Sequence, residues 1–275
     1  MSIITLITDF GVDDEYVGVM KGVILSINPA AIIVDITHHI EPQDLIQAAY
    51  IIKHSFKYFP EETVHVIVVD PGVGSERAII ALEMAGHIFL APDNGALTLL
   101  MDEGNIGSIV RVEDSRYFLE SVSRTFHGRD IFAPVAAHLS KGIGIKALGA
   151  PINKIDLERL SVKHAGISSS SELVGAVVFI DRFGNLITNI DAKSLDKFCR
   201  ACKEERLEFR IGQNKIIGLS KSYKSVLPQT PLAIIGSRGY LEIAVNRGSA
   251  KHYFMADRGD TVTVAIKRPI DFQKR

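Results

Sequence analysis

The chain has 275 residues, 47% of them hydrophobic and 23% charged, and a net charge of −1. That length accommodates one large domain or two ordinary ones, and that mix packs into a core rather than staying disordered. Without excess charge or a run of basic residues, nothing draws the chain to nucleic acid or to an anionic membrane.

The first eight residues are apolar but carry no basic leader and meet Asp9 too early for a signal peptide. No stretch approaches the roughly 18 apolar residues that a membrane span needs. Cys199 and Cys202 are too few for a disulfide framework. Together these features predict a cytoplasmic protein. The CxxC spacing falls in a predicted helix over 194–206 with no second Cys/His pair to complete a zinc site, and is read as incidental.

In chain order, the β-branched run 3–8 predicts a buried parallel strand, and Asp13 or Asp14 is expected to cap a helix ending at Asn28-Pro29. A strand over 32–37, a helix over about 43–57 and a strand over 64–69 follow. Further strands are expected at 78–83, 88–91 and 109–112, with helices near 96–101 and 131–140. This alternation predicts an α/β domain over residues 1–165, its mostly parallel sheet covered by helices on both faces. The polar stretch 166–171 reads as a linker. Beyond it, seven strand-like runs (173–181, 186–190, 207–211, 215–219, 232–235, 240–245 and 261–267) predict a smaller antiparallel β domain over 172–275.

Ligands of open parallel sheets sit beyond the carboxyl ends of the strands. Two loops begin there with an aspartate: Asp9-Phe10-Gly11 after the first strand, and Asp70 to Arg77 after the third. Such a carboxylate can bind a ribose diol or orient a water, and it can equally be a turn or cap residue. Arg124 to Asp130 places His127 before a predicted helix, suited to titrate or donate into a site, with Asp130 as the alternative helix cap. Adjacent His38 and His39 point to opposite sides and read as a structured loop rather than one metal site. In the second domain, Asp181 to Asn185 offers an aromatic and an amide suited to a base, or is an ordinary hairpin turn. The loop from Gly236 to Glu242 offers a hydroxyl, a guanidinium and backbone N–H groups to a carboxylate.

Seven ordered segments resemble the S-adenosylmethionine hydrolase, or hydroxide adenosyltransferase, family, whose relatives include fluorinases and chlorinases. They are ITDFG, DITH followed by Pro42-Gln43-Asp44, VVDPGVGSER, APDNG, TFHGRD, DRFGNLITNI and IGSRGYLEIAVN. The resemblance implies hydrolysis of S-adenosylmethionine to adenosine and methionine by water attacking the ribose 5′ carbon, with no cofactor and no metal. It implies a homotrimer with active sites between neighbouring subunits. Asp70, Arg77 and His127 match the family's water-orienting set, with His127 assigned as proton acceptor and the other two to orienting the water. Asp9 matches the ribose-diol aspartate. Asn185 and the backbone near Val245 match adenine contacts flanked by Phe183. Ser237 matches the methionine-carboxylate serine, Glu242 falls in the same binding segment, and Asp181 matches a possible amine contact. Gly128 stands where halogenating relatives place a serine, which implies water rather than halide as nucleophile. The alternatives are a metal-dependent phosphoesterase built on Asp9, Asp13, Asp14, His38 and His127, and a sensor that binds adenosine or S-adenosylmethionine without turnover.

Overall fold

The computed structural model describes residues 2–168, 172–202 and 207–266, with the backbone alone at 201 and 202. The chain divides into two compact units, Met1–Ser161 and Val162–Arg275.

Unit 1 is built on a six-stranded sheet of β1 (Ile3–Thr8), β2 (Ile32–Thr37), β3 (Val64–Val68), β4 (Ile79–Met84), β5 (His87–Pro92) and β6 (Ile106–Arg111), in the order β2-β1-β3-β5-β4-β6. The β1–β2, β1–β3 and β3–β5 pairs are parallel, whereas β4 runs antiparallel to both its neighbours. Its helices are α1 (Tyr16–Ile27), α2 (Leu45–Ser55), α3 (Thr98–Met101) and α4 (Ala133–Ser140). Side-chain alternation explains how one sheet serves two cores. Ile4, Leu6, Val64, Val66 and Val68 join Met20 and Ile24 of α1 and the apolar face of α4. Ile7 and Ile67, facing the other way, join Ala48 and Ile52 of α2 and Leu100 of α3.

That second face also holds polar residues. His65 and His87 are 0% and 5% exposed, and Thr5 is 0% exposed. His65 Nδ1 lies 2.7 Å from Thr5 Oγ1, and its Nε2 lies 3.2 Å from His87 Nδ1. The His65 ring stacks on Phe89 at 5.0 Å between centroids, with Phe59 edge-on at 5.6 Å. Burial, with the nearby His87, pushes the His65 pKa down to about 3.

Several local expectations are corrected. Neither Asp13 nor Asp14 caps α1: Glu15 occupies the cap position with φ −72° and ψ −12° and no side-chain bond. Its backbone is already helical, so the extended geometry of a side-chain cap is not available. Asp44 does cap α2, accepting from Gln47 N–H at 3.0 Å. Part of the expected linker is ordered: Gly166–Ile167 forms a short strand, β7, pairing with residues 173–174, while 169–171 lie outside the described residues.

Unit 2 contains β8 (Leu173–Ile180), β9 (Leu186–Asp191), α5 (Ala192–Cys202), β10 (Leu207–Ile211), β11 (Asn214–Ile217), β12 (Leu219–Ser220), β13 (Pro231–Ile235), β14 (Tyr240–Val245), α6 (Ala250–Phe254) and β15 (Thr261–Ile266). The sheet runs β11-β10-β15-β8-β9-β14-β13-β12 and is antiparallel except for β12–β13. Leu195 and Phe198 of α5 pack with Phe209, Val262 and Val264 in its core. The expected strand over 215–219 is broken at Gly218, whose φ is +82°. Cys199 lies on α5, and the side chain of Cys202 is outside the described residues. Among the described residues no helix is long and apolar enough to cross a membrane.

Candidate active site

The carboxyl ends of β1 and β3 each deliver an aspartate, as the topology demands. After β1, Asp9 Oδ2 accepts the Gln43 N–H at 2.9 Å, and Gly11 N–H donates to the His38 carbonyl at 2.8 Å. These bonds tie together the loops that follow β1 and β2. Gln43 has a φ of +67°, a left-handed geometry that is costly for a non-glycine residue and places its N–H on Asp9. His38 is turned into this framework: Nδ1 lies 2.8 Å from Thr8 Oγ1 and Nε2 3.1 Å from Asp35. Asp13, Asp14 and His39 are exposed. Among the described residues, no group of three or more His, Cys, Asp or Glu side chains converges as metal ligands would.

The loop after β3 folds through successive turns, Val73 N–H to the Asp70 carbonyl and Ser75 N–H to the Gly72 carbonyl. It thereby brings Arg77 back onto Asp70. Gly74 permits this with a φ of +78°, and a Cβ there would sit 2.2 Å from the Arg124 carbonyl oxygen. The loop is thus seated directly on the segment that leads to His127. Arg77 Nε donates to Asp70 Oδ1 at 2.8 Å and its Nη2 binds Asp70 Oδ2, forming a fork-to-fork pair. The side chains are only 10% (Arg77) and 5% (Asp70) exposed. Arg77 Nη2 also lies 3.1 Å from His127 Nδ1, and the guanidinium carbon sits 6.0 Å from the Phe132 ring centroid.

The direction of the Arg77–His127 bond settles a tautomer. A guanidinium can only donate, so His127 Nδ1 is the acceptor and the hydrogen of the neutral ring is on Nε2. Burial first, then the adjacent Arg77 charge, lowers the His127 pKa, while Asp70 and Asp130 act in the opposite sense. Neutral imidazole therefore persists to more acidic pH than an ordinary histidine would allow.

His127 precedes a π-helical turn, Gly128–Phe132, that runs into α4. Asp130 is not the cap anticipated from the sequence. It is 0% exposed and lies inside that turn, where its carboxylate accepts from the Ser123 N–H at 2.8 Å. Gly128 is enclosed: a Cβ would lie 3.1 Å from Phe126, 3.2 Å from the Met20 sulfur and 3.4 Å from Phe10. A larger residue here requires these neighbours to move. Phe10 of ITDFG and Phe126 of TFHGRD meet Tyr16 in an aromatic cluster, with centroids 5.1–5.9 Å apart. The APDNG segment serves as a brace, Asn94 Nδ2 donating to the Val69 carbonyl at 2.9 Å.

In unit 2, Asp181 accepts from the Phe183 and Asn185 N–H groups, both at 2.9 Å, and from Asn185 Nδ2 at 2.9 Å. This closes the β8–β9 hairpin, fixes the Asn185 side chain and leaves its Oδ1 as an available acceptor. Phe183 at the tip is 78% exposed. Between β13 and β14, Ser237 is exposed, and Arg238 stacks over Phe179 at 4.5 Å. Glu242 is 7% exposed and accepts from the Tyr223 hydroxyl at 3.1 Å. Burial raises the Glu242 pKa, with Asp181 adding to the rise; burial and Glu242 push that of Tyr223 up to about 12. Val245 is buried at the end of β14, its carbonyl accepting from Gly248 N–H at 3.0 Å. Tyr223 was missed in the sequence because it meets Glu242 across 19 positions with no motif linking them.

Comparison with known proteins gives a consistent result. A family model described as the SAM hydroxide adenosyltransferase N-terminal domain matches residues 4–149, and the model of the corresponding C-terminal domain matches 175–263. The (R)-S-adenosyl-L-methionine hydrolase of Thermus thermophilus is 35% identical, over 89% of this chain and 92% of its own length. The protein of the same name from Methanocaldococcus jannaschii is also 35% identical, over 96% of each. A fluorinase of Nocardia brasiliensis is 28% identical over 96% of this chain and 97% of its own. The crystal structure of an uncharacterized conserved protein from Thermotoga maritima superposes with a TM-score of 0.87 at 35% identity, covering 96% of this chain and all of that one.

Proposed function

Because this chain belongs to the SAM hydroxide adenosyltransferase family, we propose that it hydrolyses S-adenosylmethionine to adenosine and methionine. The observation that carries the reading is the Asp70–Arg77–His127 set at the end of the parallel sheet. Relatives covering nearly the whole chain are named for that hydrolysis, which supports it further.

The chemistry asks little of an acid catalyst. As water oxygen bonds to C5′, the C5′–S bond breaks and its electron pair stays on sulfur, turning a sulfonium into a neutral thioether. One proton must leave the water, and the rest is alignment in line with the leaving sulfur. The Nδ1 lone pair of His127 is already committed to Arg77. Each Asp70 oxygen retains a second lone pair after binding Arg77. The water's proton therefore goes towards Asp70, with neutral His127 as an orienting donor, in place of the proton-accepting role that the sequence suggests for His127. In this reading Asp9 holds the ribose diol, Asn185, Phe183 and the backbone at Val245 hold the adenine, and Ser237 and Glu242 serve the methionine end. Asp181 acts through the hairpin turn that fixes Asn185. No step calls for a cofactor or metal.

Incubation with S-adenosylmethionine in buffer containing a chelator is expected to yield adenosine and methionine in equal amounts, as read by chromatography. S-Adenosylhomocysteine or methylthioadenosine as the product would refute the reading, since each requires attack at a different carbon. Unchanged substrate after long incubation would favour the sensor alternative.

The working form in this reading is a cytoplasmic homotrimer with sites shared between subunits, consistent with the proposed ribose contact, Asp9, and adenine contact, Asn185, lying in different units. Mixing Asp70→Ala subunits with Asn185→Ala subunits should then restore a fraction of the activity absent from either alone. No recovery in verified mixed trimers would mean that each site is built within one chain.

A further inference from the structure

We propose that Asp130 is a positioning residue that holds His127 in its Nε2–H tautomer against Arg77; this rests on the catalytic reading above. The turn carrying His127 has two segments, the irregular residues 123–126 and the π-helical turn itself, and Asp130 joins them. Its Oδ2 accepts the Ser123 N–H at 2.8 Å and its Oδ1 accepts Arg129 Nε at 2.6 Å. Ser123 Oγ in turn accepts the Phe126 N–H at 3.0 Å. The Phe126 carbonyl accepts from the backbone N–H groups of both Arg129 and Asp130 at 3.2 Å. The Arg129 guanidinium then stacks 5.4 Å from the Phe126 ring centroid. The Asp130 backbone carbonyl fastens the far side by accepting Leu119 N–H at 2.9 Å.

The Ser123 peptide is the link to chemistry. Its N–H is held by Asp130, so the bond closes the turn across His127, which lies between the two residues it joins. A turn braced in this way keeps Nδ1 facing Arg77, and because a guanidinium only donates, the ring hydrogen is held on Nε2. Asp130 does not reach the reacting atoms. Its full burial is costly unless its bonds are satisfied, and the Ser123 amide and Arg129 satisfy them. A surface cap would have needed none of this.

The test combines kinetics with ¹⁵N NMR of histidine-labelled protein. In the wild type, His127 should show an unprotonated Nδ1 and a protonated Nε2. In Asp130→Ala, both tautomers should become populated. The ring, released from Arg77, should then titrate nearer the ordinary value of about 6.5. The charged groups acting on it are Arg77, Asp70 and Asp130. In that variant kcat should fall by about tenfold to a hundredfold, with KM for S-adenosylmethionine changed by less than about twofold. Asp130→Asn keeps an acceptor for the Ser123 N–H and should restore both the spectrum and most of kcat. A folded Asp130→Ala with the wild-type spectrum and rate would overturn the proposal, as would an asparagine variant no better than alanine. If the alanine variant does not fold, the wild-type spectrum still decides, because a protonated Nδ1 contradicts the assignment. A wild type that forms no adenosine but shows the expected tautomer and its loss would overturn the activity while leaving the positioning role standing.

Discussion

Arg77→Ala is expected to lower kcat by about 10² to 10⁴, with KM for S-adenosylmethionine almost unchanged. Arg77 is the only group that touches both other members of its set, forking onto Asp70 and reaching His127 Nδ1. Without it, a carboxylate whose side chain is 5% exposed faces no partner and the imidazole loses the donor that fixes its tautomer. Removing one partner of a buried ion pair also costs about 3 kcal/mol or more of stability. Arg77→Lys restores the charge, but one ammonium cannot span both Asp70 oxygens and the histidine, so activity should stay low. The rate effect should appear in single-turnover formation of adenosine, where product release plays no part. Wild-type turnover in Arg77→Lys would show that charge alone suffices and that the fork geometry is irrelevant.

The second large effect is on acid stability and has its origin in the core of unit 1. His65 is neutral in the folded protein, with a pKa near 3, while in the unfolded chain it titrates near 6.5. The unfolded state therefore binds the extra proton as pH falls between those values, and stability is lost across that window. The stabilisation is complete above pH 6.5, falls by about 2 kcal/mol at pH 5 and by roughly 4–5 kcal/mol at pH 3. His87, lowered chiefly by burial, acts in the same direction. Urea unfolding followed by circular dichroism between about pH 7 and pH 5 should show this slope. In His65→Gln it should be shallower, although that variant starts from lower stability. An unchanged slope would mean that His65 is not the group taking up the proton.

The sequence discloses elements where one physical signal dominates. The β-branched runs of β1 and β2 fall where patterning puts them, because such strands leave local marks. Features made by distant contact leave none. His65 and His87 read only as polar residues in apolar runs until β3 and β5 pair and bring them to one cluster. The π-helical turn has no periodic pattern of its own, so Gly-Arg-Asp before an apolar helix imitates a helix start. For that reason Asp130 reads as a cap when it is a buried node. The Asp70, Arg77 and His127 motifs were legible as separate loops, whereas the direction of the bond between Arg77 and His127, on which the proton assignment turns, needs the fold.

In the proposed reaction, water held by the Asp70–Arg77–His127 set displaces sulfur at C5′. The most direct measurement is turnover of S-adenosylmethionine in ¹⁸O-labelled water with high fluoride or chloride present, read by mass spectrometry. The expected products are adenosine carrying one ¹⁸O in its 5′ hydroxyl and unlabelled methionine, with little 5′-halo-5′-deoxyadenosine. Halogenated nucleoside as the main product, or ¹⁸O in methionine, would contradict that reaction.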